Sequence, residues 1–259
     1  MKTRVISGAV ILLLLIVFMA FNSKIFAIFM LACSLLGLNE FLNIRYRGKK
    51  LKFVEFVAVI SLAIMVLNNI FFSIDGKICL LLPLLGLTMP IVFYNDSDKY
   101  NINDSLYVLG ATLFLGLSFG ALIELRDASI SYCILVFLVA FVTDTYAYIG
   151  GMLIGRRPLT SISPKKTWEG FLVGTFFGTL IGSFFYYFVI GGLPIGWIIV
   201  FILALTLLSE VGDLVFSSIK RYYGVKDYSN LIPGHGGILD RFDSVIFVAL
   251  GTILLFGIF

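Results

Sequence analysis

Between residues 213 and 243 the chain gathers four acids, Asp213, Asp227, Asp240 and Asp243, and five bases, Lys220, Arg221, Lys226, His235 and Arg241. Carboxylates interleaved with cations suit a divalent metal that holds a phosphate. Asp240 and Asp243 are three apart, so on a helix both carboxylates share a face and can approach one ion, with Arg241 pointing elsewhere. The preceding Pro233-Gly234-His235-Gly236-Gly237 cannot continue a helix, and its glycines permit positive φ and a close approach of backbone N–H groups to an anion. By itself G-H-G-G reads as a turn; its place between K-D and D-R-x-D gives it weight. His235 is the only histidine of the chain.

A second polar cluster runs from Arg156-Arg157-Pro158 through Ser161-Ile162-Ser163-Pro164-Lys165-Lys166-Thr167-Trp168-Glu169-Gly170. Two adjacent lysines after a proline, with the Ser163 and Thr167 hydroxyls beside them, suit a triphosphate tail. A basic cytoplasmic loop would explain the same lysines without any ligand.

These clusters must be positioned by apolar elements, because 60% of the 259 residues are hydrophobic and only 13% charged. So few polar groups cannot cover a soluble globule of this size. Apolar stretches long enough to cross the bilayer as helices fall near 5–21, 25–42, 53–72, 78–94, 104–123, 129–150, 168–190, 194–218 and 242–259. The expected architecture is all-α, a polytopic integral membrane protein of about nine transmembrane helices. No soluble insert or low-complexity tract interrupts it, so residues 1–259 read as a single membrane domain, with N-terminal spans over 1–130 and the chemistry over 131–259.

With nine spans, all but three of the 19 lysines and arginines fall on one side, the exceptions being Lys24, Lys77 and Arg126. The positive-inside rule then puts the N-terminus in the cytoplasm and the C-terminus outside. A net charge of +4 gives a basic inner face for anionic membrane lipids, not nucleic acid. Behind Lys2 and Arg4 the first span reads as an uncleaved anchor, since FMAFNSK holds no small-x-small cleavage site. Cys33, Cys79 and Cys133 lie singly in spans and read as packing residues. Gly174, Gly178 and Gly182 recur every fourth position and suit close helix packing, against a helix of this chain or of a second copy, which leaves a homodimer open. Asp144, in FVTDTYAYIGG, reaches the same depth just inside the cytoplasmic face as Asp213, Asp240 and Asp243. Each alone could be a cap or an ion-pair partner; four at one depth point to a site.

The run from Ser217 to Asp243 matches S-x-(apolar)-K-R-x4-K-D-x-(small)-x2-(apolar)-P-x-H-G-G-(apolar)-x-D-R-x-D and resembles the phosphatidate cytidylyltransferase (CDP-diacylglycerol synthase) family. S-P-K-K-T-W-E-G at 163–170, D-T-x-A-Y from Asp144 and G-D-L from Gly212 look like further landmarks of that family, in the same order. The resemblance is specific over roughly 140–243, and residues 1–130 match only as generic spans. It implies transfer of a cytidylyl group from CTP to phosphatidic acid, giving CDP-diacylglycerol and pyrophosphate in phospholipid biosynthesis, at a cytoplasmic-facing site in what reads as a bacterial inner membrane. It further implies Mg²⁺, with room for a second cation, held among Asp144, Asp213, Asp240 and Asp243. Asp213, Lys226, His235, Asp240 and Asp243 are the expected catalytic set, and Ser163, Lys165, Lys166, Thr167, Ser217, Lys220, Arg221, Gly236, Gly237 and Arg241 the expected substrate contacts. Many members carry an acid directly before the motif serine. Here that position is Phe216, so no ligand role is carried over to it. The rival readings are another CTP-dependent membrane enzyme acting on a different lipid phosphate and an ion-coupled transporter; neither an inverted repeat nor charges spread through the membrane depth favour the transporter.

Overall fold

The computed structural model describes residues 2–47, 52–93 and 100–256, with backbone alone at 2–6 and at 256. Lys49, Lys50 and Lys99, the side chains of Lys2 and Arg4, and the last residues of the ninth expected span therefore lie outside the described residues. Ten α-helices follow in order: α1 (Lys2–Ala20), α2 (Ser23–Tyr46), α3 (Lys52–Leu67), α4 (Gly76–Thr88), α5 (Pro90–Phe93), α6 (Ile102–Ala128), α7 (Ile130–Ile154), α8 (Trp168–Phe185), α9 (Ile195–Tyr222) and α10 (Leu239–Phe256). Among the described residues there is no strand beyond two isolated bridges, Pro158 with Thr167 and Ile232 with Gly236. In lipid a helix satisfies its own backbone, which is why so apolar a chain takes this form.

Among the described residues seven helical segments are long and apolar enough to cross a membrane: α2, α3 with its π-turn extension to Phe72, α4 continued through α5, and α6 to α9, with α8 extended to Ile190. The nine expected spans also include α1, whose described apolar stretch is the shorter Ser7–Ala20, and α10, which opens on Asp240, Arg241 and Asp243. The helix ends follow local chemistry. Asn22 accepts from the Ile25 amide to cap α2, Ser129 accepts from the Ser131 amide at α7, and Thr167 Oγ1 accepts from the Gly170 amide at 3.1 Å to start α8.

The chain forms two compact units. The first comprises residues 1–124 and 228–238, and the second 125–227 and 239–259. In the first, α2 packs on α3 and α3 on α4, and Arg45 clasps Asp104 through Nε at 2.9 Å and Nη2 at 2.7 Å while stacking over the Tyr107 ring at 4.9 Å. In the second, the tightest pairs are α7 with α8 and α9 with α10. Its glycine stripe explains the closeness. A Cβ on Gly174 would meet the Thr143 carbonyl and Ala147 of α7 at 2.8 Å, and one on Gly182 would meet Ile202 of α9 at 2.7 Å. The stripe's partners are therefore helices of the same chain, so it lends no surface to a homodimer. All three cysteines are buried and free.

Candidate active site

Within the second unit the mostly apolar α9 carries Glu210, Asp213, Ser217 and Lys220, whose spacing of three, four and three places them along one stripe. The chain meets that stripe from two directions. The loop between α7 and α8 folds back on itself, with the Leu159 amide donating to the Lys166 carbonyl at 2.7 Å and the Trp168 amide to the Arg157 carbonyl at 3.0 Å. Glu169 Oε2 fixes its start by accepting from the Arg156 and Arg157 amides at 3.0 and 3.3 Å. This fold delivers Lys166, whose Nζ lies 2.6 Å from Asp213 Oδ2 and 3.6 Å from Glu210 Oε2. Burial alone would push the Lys166 ammonium down, but the carboxylates of Asp213, Glu210 and Asp144 outweigh it and hold it above the ordinary lysine range.

From the other side comes α10. A Cβ on Gly212 would strike the Asp243 carbonyl at 2.8 Å, so the absence of a side chain there lets α9 and α10 meet closely. Lys220 Nζ donates to Asp240 Oδ1 at 2.6 Å, and both residues are buried. Ser217 Oγ donates to Asp213 Oδ1 at 3.2 Å. Ser244 joins two more acids, its amide donating to Asp243 Oδ1 at 2.9 Å and its hydroxyl to Asp144 Oδ1 at 3.1 Å.

Beside Asp213 opens a cavity of about 340 Å³, within the ~300–1,000 Å³ common for small-ligand sites. Its lining takes in five expected residues, Asp144, Lys165, Lys166, Thr167 and Asp213, and one unexpected, Glu210. Glu210 is 2% exposed, and its Oε1 has no hydrogen-bond partner. An acid three residues before Asp213 inside an apolar helix was a signal available in the sequence. Thr167 lines the cavity while its Oγ1 serves as the cap of α8.

The remaining expected residues are placed variously. Arg241 and Lys226 are exposed, Arg221 donates through Nη1 to the Val225 carbonyl at 2.9 Å, and the Ser163 carbonyl accepts from the Lys166 amide at 3.0 Å. His235, Gly236 and Gly237 belong to the first unit. There Ser7 Oγ lies 2.7 Å from His235 Nδ1 and donates to the Pro233 carbonyl at 3.0 Å. Gly234 and Gly236 have φ of 78° and 81°, the turn that only glycine adopts freely.

Among the described residues no three carboxylate, imidazole or thiol groups form a metal-holding set. The donors around the cavity are nonetheless carboxylate oxygens, one of them buried without a partner. That chemistry fits a hard cation such as Mg²⁺, which is commonly bound by one or two carboxylates together with substrate phosphates.

The model of the family described as "Cytidylyltransferase family" matches residues 2–259. The phosphatidate cytidylyltransferase of Staphylococcus aureus (strain COL) is 32% identical over 96% of this chain and 96% of its own length. Those of Staphylococcus epidermidis (strain ATCC 12228) and Staphylococcus saprophyticus subsp. saprophyticus are each 31% identical over the same shares. A family match across residues 2–259, with relatives 31% and 32% identical over 96% of the chain, means that the chain belongs to the cytidylyltransferase family.

Proposed function

We propose that this membrane protein transfers the cytidylyl group of CTP to phosphatidic acid, releasing pyrophosphate and forming CDP-diacylglycerol for phospholipid synthesis. The observation that carries the reading is the cavity where Lys165 and Lys166 of a loop meet Asp144, Glu210 and Asp213 of apolar helices. It joins a polyanion-binding wall to the end of membrane-embedded elements. The relatives' name, phosphatidate cytidylyltransferase, supplies the substrate class.

In the reaction a phosphomonoester oxygen of phosphatidic acid attacks the α-phosphorus of CTP, and the bond from that phosphorus to the bridging oxygen of the β-phosphate breaks. The attacking group has a second pKa near about 6, so it is largely dianionic at neutral pH and needs no general base. The difficulty is bringing two polyanions together. Lys165 and Lys166 take the nucleotide phosphates and the charge that builds on the pyrophosphate. Asp213 and Asp240 would hold Mg²⁺, with Asp144 and Asp243 beside them for a second cation. Bound there, Mg²⁺ supplies Lewis-acid polarisation of the phosphoryl oxygen. Lys220 holds Asp240 in place, and Ser217 and Ser244 orient Asp213 and Asp144. The lipid's acyl chains stay in the bilayer. We place the N-terminus and the basic loops in the cytoplasm of a bacterial inner membrane, with nine spans and the C-terminus outside.

The test is choice of acceptor. Purified protein given CTP and Mg²⁺ should form CDP-lipid with phosphatidic acid and little with a lipid alcohol or an isoprenoid phosphate. Preference for either of the latter would reassign the acceptor while keeping the nucleotide site.

A further inference from the structure

Glu40 lies inside the apolar helix α2, and it is 3% exposed. A carboxylate in such a segment has a partner or a use. Its partner is the motif loop. Ser229 Oγ donates to Glu40 Oε1 at 2.7 Å and the Ile238 amide donates to the same oxygen at 2.9 Å, so one oxygen closes the neck of the segment 229–238. A Cβ on Gly237 would fall on the Glu40 carboxylate, which gives that glycine a steric reason beyond its turn. The next residue, Phe41, meets the Tyr228 ring edge-on at 5.5 Å and holds the entry side of the loop. Between the two ends stand the positive-φ turns and His235, whose ring rests against Gly8.

We propose that Glu40 is a positioning residue for the cytidylyl transfer: it pins the neck of the 229–238 loop and so fixes the backbone at Ile238, two residues before Asp240 in the chain. The inference rests on the reaction proposed above only for its kinetic arm. Hydrogen bonds to a buried carboxylate are among the stronger ones, and their loss loosens the loop at its neck.

The experiment compares Glu40→Met, which keeps volume and removes the acceptor, with Glu40→Gln, which keeps an acceptor oxygen. In purified, bilayer-reconstituted protein, E40M should lower kcat about tenfold or more and raise amide hydrogen exchange over 229–238 by a similar factor, with exchange in α7 to α9 unchanged. E40Q should restore both to within about threefold of wild type. Wild-type exchange in the loop of E40M overturns the proposal, as does an E40Q defect equal to that of E40M. If E40M does not accumulate, Ser229→Ala carries the test: faster exchange at Ile238 with a few-fold lower kcat supports the anchor, and unchanged exchange refutes it. A wild type that exchanges as described but forms no CDP-lipid overturns the proposed reaction and leaves the anchor standing.

Discussion

Among the described residues two buried glutamates sit inside apolar helices, one in each unit, and they differ in how their oxygens are satisfied. In the first unit Glu40 Oε1 receives two hydrogen bonds from the protein. In the second, Glu210 keeps Oε1 without a hydrogen-bond partner at the wall of a cavity, with Oε2 3.6 Å from Lys166. The cations repeat the contrast, since Arg45 grips Asp104 with two nitrogens, whereas Lys166 is a point charge shared between Glu210 and Asp213. A carboxylate saturated by its own chain is an anchor. One left short of donors costs stability and is retained where a ligand completes it.

The largest expected effect comes from Asp240→Asn. It removes a proposed ligand and leaves Lys220 buried without its charge partner, so turnover should fall by at least about 10²-fold and thermal stability should drop with it, by about 3–5 kcal/mol. Near-normal rate and melting temperature would dissolve the stripe as a functional unit. Next, Lys165→Ala and Lys166→Ala should each cost about 2–4 kcal/mol in kcat/KM for CTP, with the KM for phosphatidic acid moving less. If lipid saturation weakens instead, these lysines capture headgroups. Glu210→Gln sharpens the comparison most. It should lower kcat/KM for CTP about tenfold while leaving thermal stability equal or higher, because a buried acid short of partners becomes neutral; Glu40→Met should instead destabilise. Matching stability losses in both variants would erase the distinction between anchor and site.

The smallest effect is the pH dependence of Lys166. Its pKa is raised in the fold, so its contribution to stability is present below the ordinary value of 10.5 and is lost as pH rises through the higher folded value. Melting of wild type minus Lys166→Met should therefore give a difference that is flat through neutral pH and shrinks only above roughly 10.5. A difference that already shrinks near neutral pH would contradict the ion pair.

Most of the membrane fold was legible in the sequence, because a run of apolar residues in lipid has few alternatives to a helix. That Lys165 and Lys166 would lie beside Asp213 was legible through residue type and motif. What the sequence could not assign was which glycines face which helix: Gly174, Gly178 and Gly182 read equally as an internal or an intermolecular surface until Thr143, Ala147 and Ile202 were seen beside them. Nor could spacing tell that His235 and the neighbouring Asp240 belong to different units, since contact grouping depends on long-range packing. Glu40 was invisible for the same reason, its partners lying at positions 229 and 238.

The account stands most directly on the rate at which label passes from α-phosphate-labelled CTP into the lipid phase, measured with phosphatidic acid and Mg²⁺ for wild type and Asp213→Asn of equal thermal stability. It predicts rapid labelling by wild type, abolished by chelator, and labelling at background for Asp213→Asn. Near-wild-type labelling by Asp213→Asn, or none by the wild type, would contradict it.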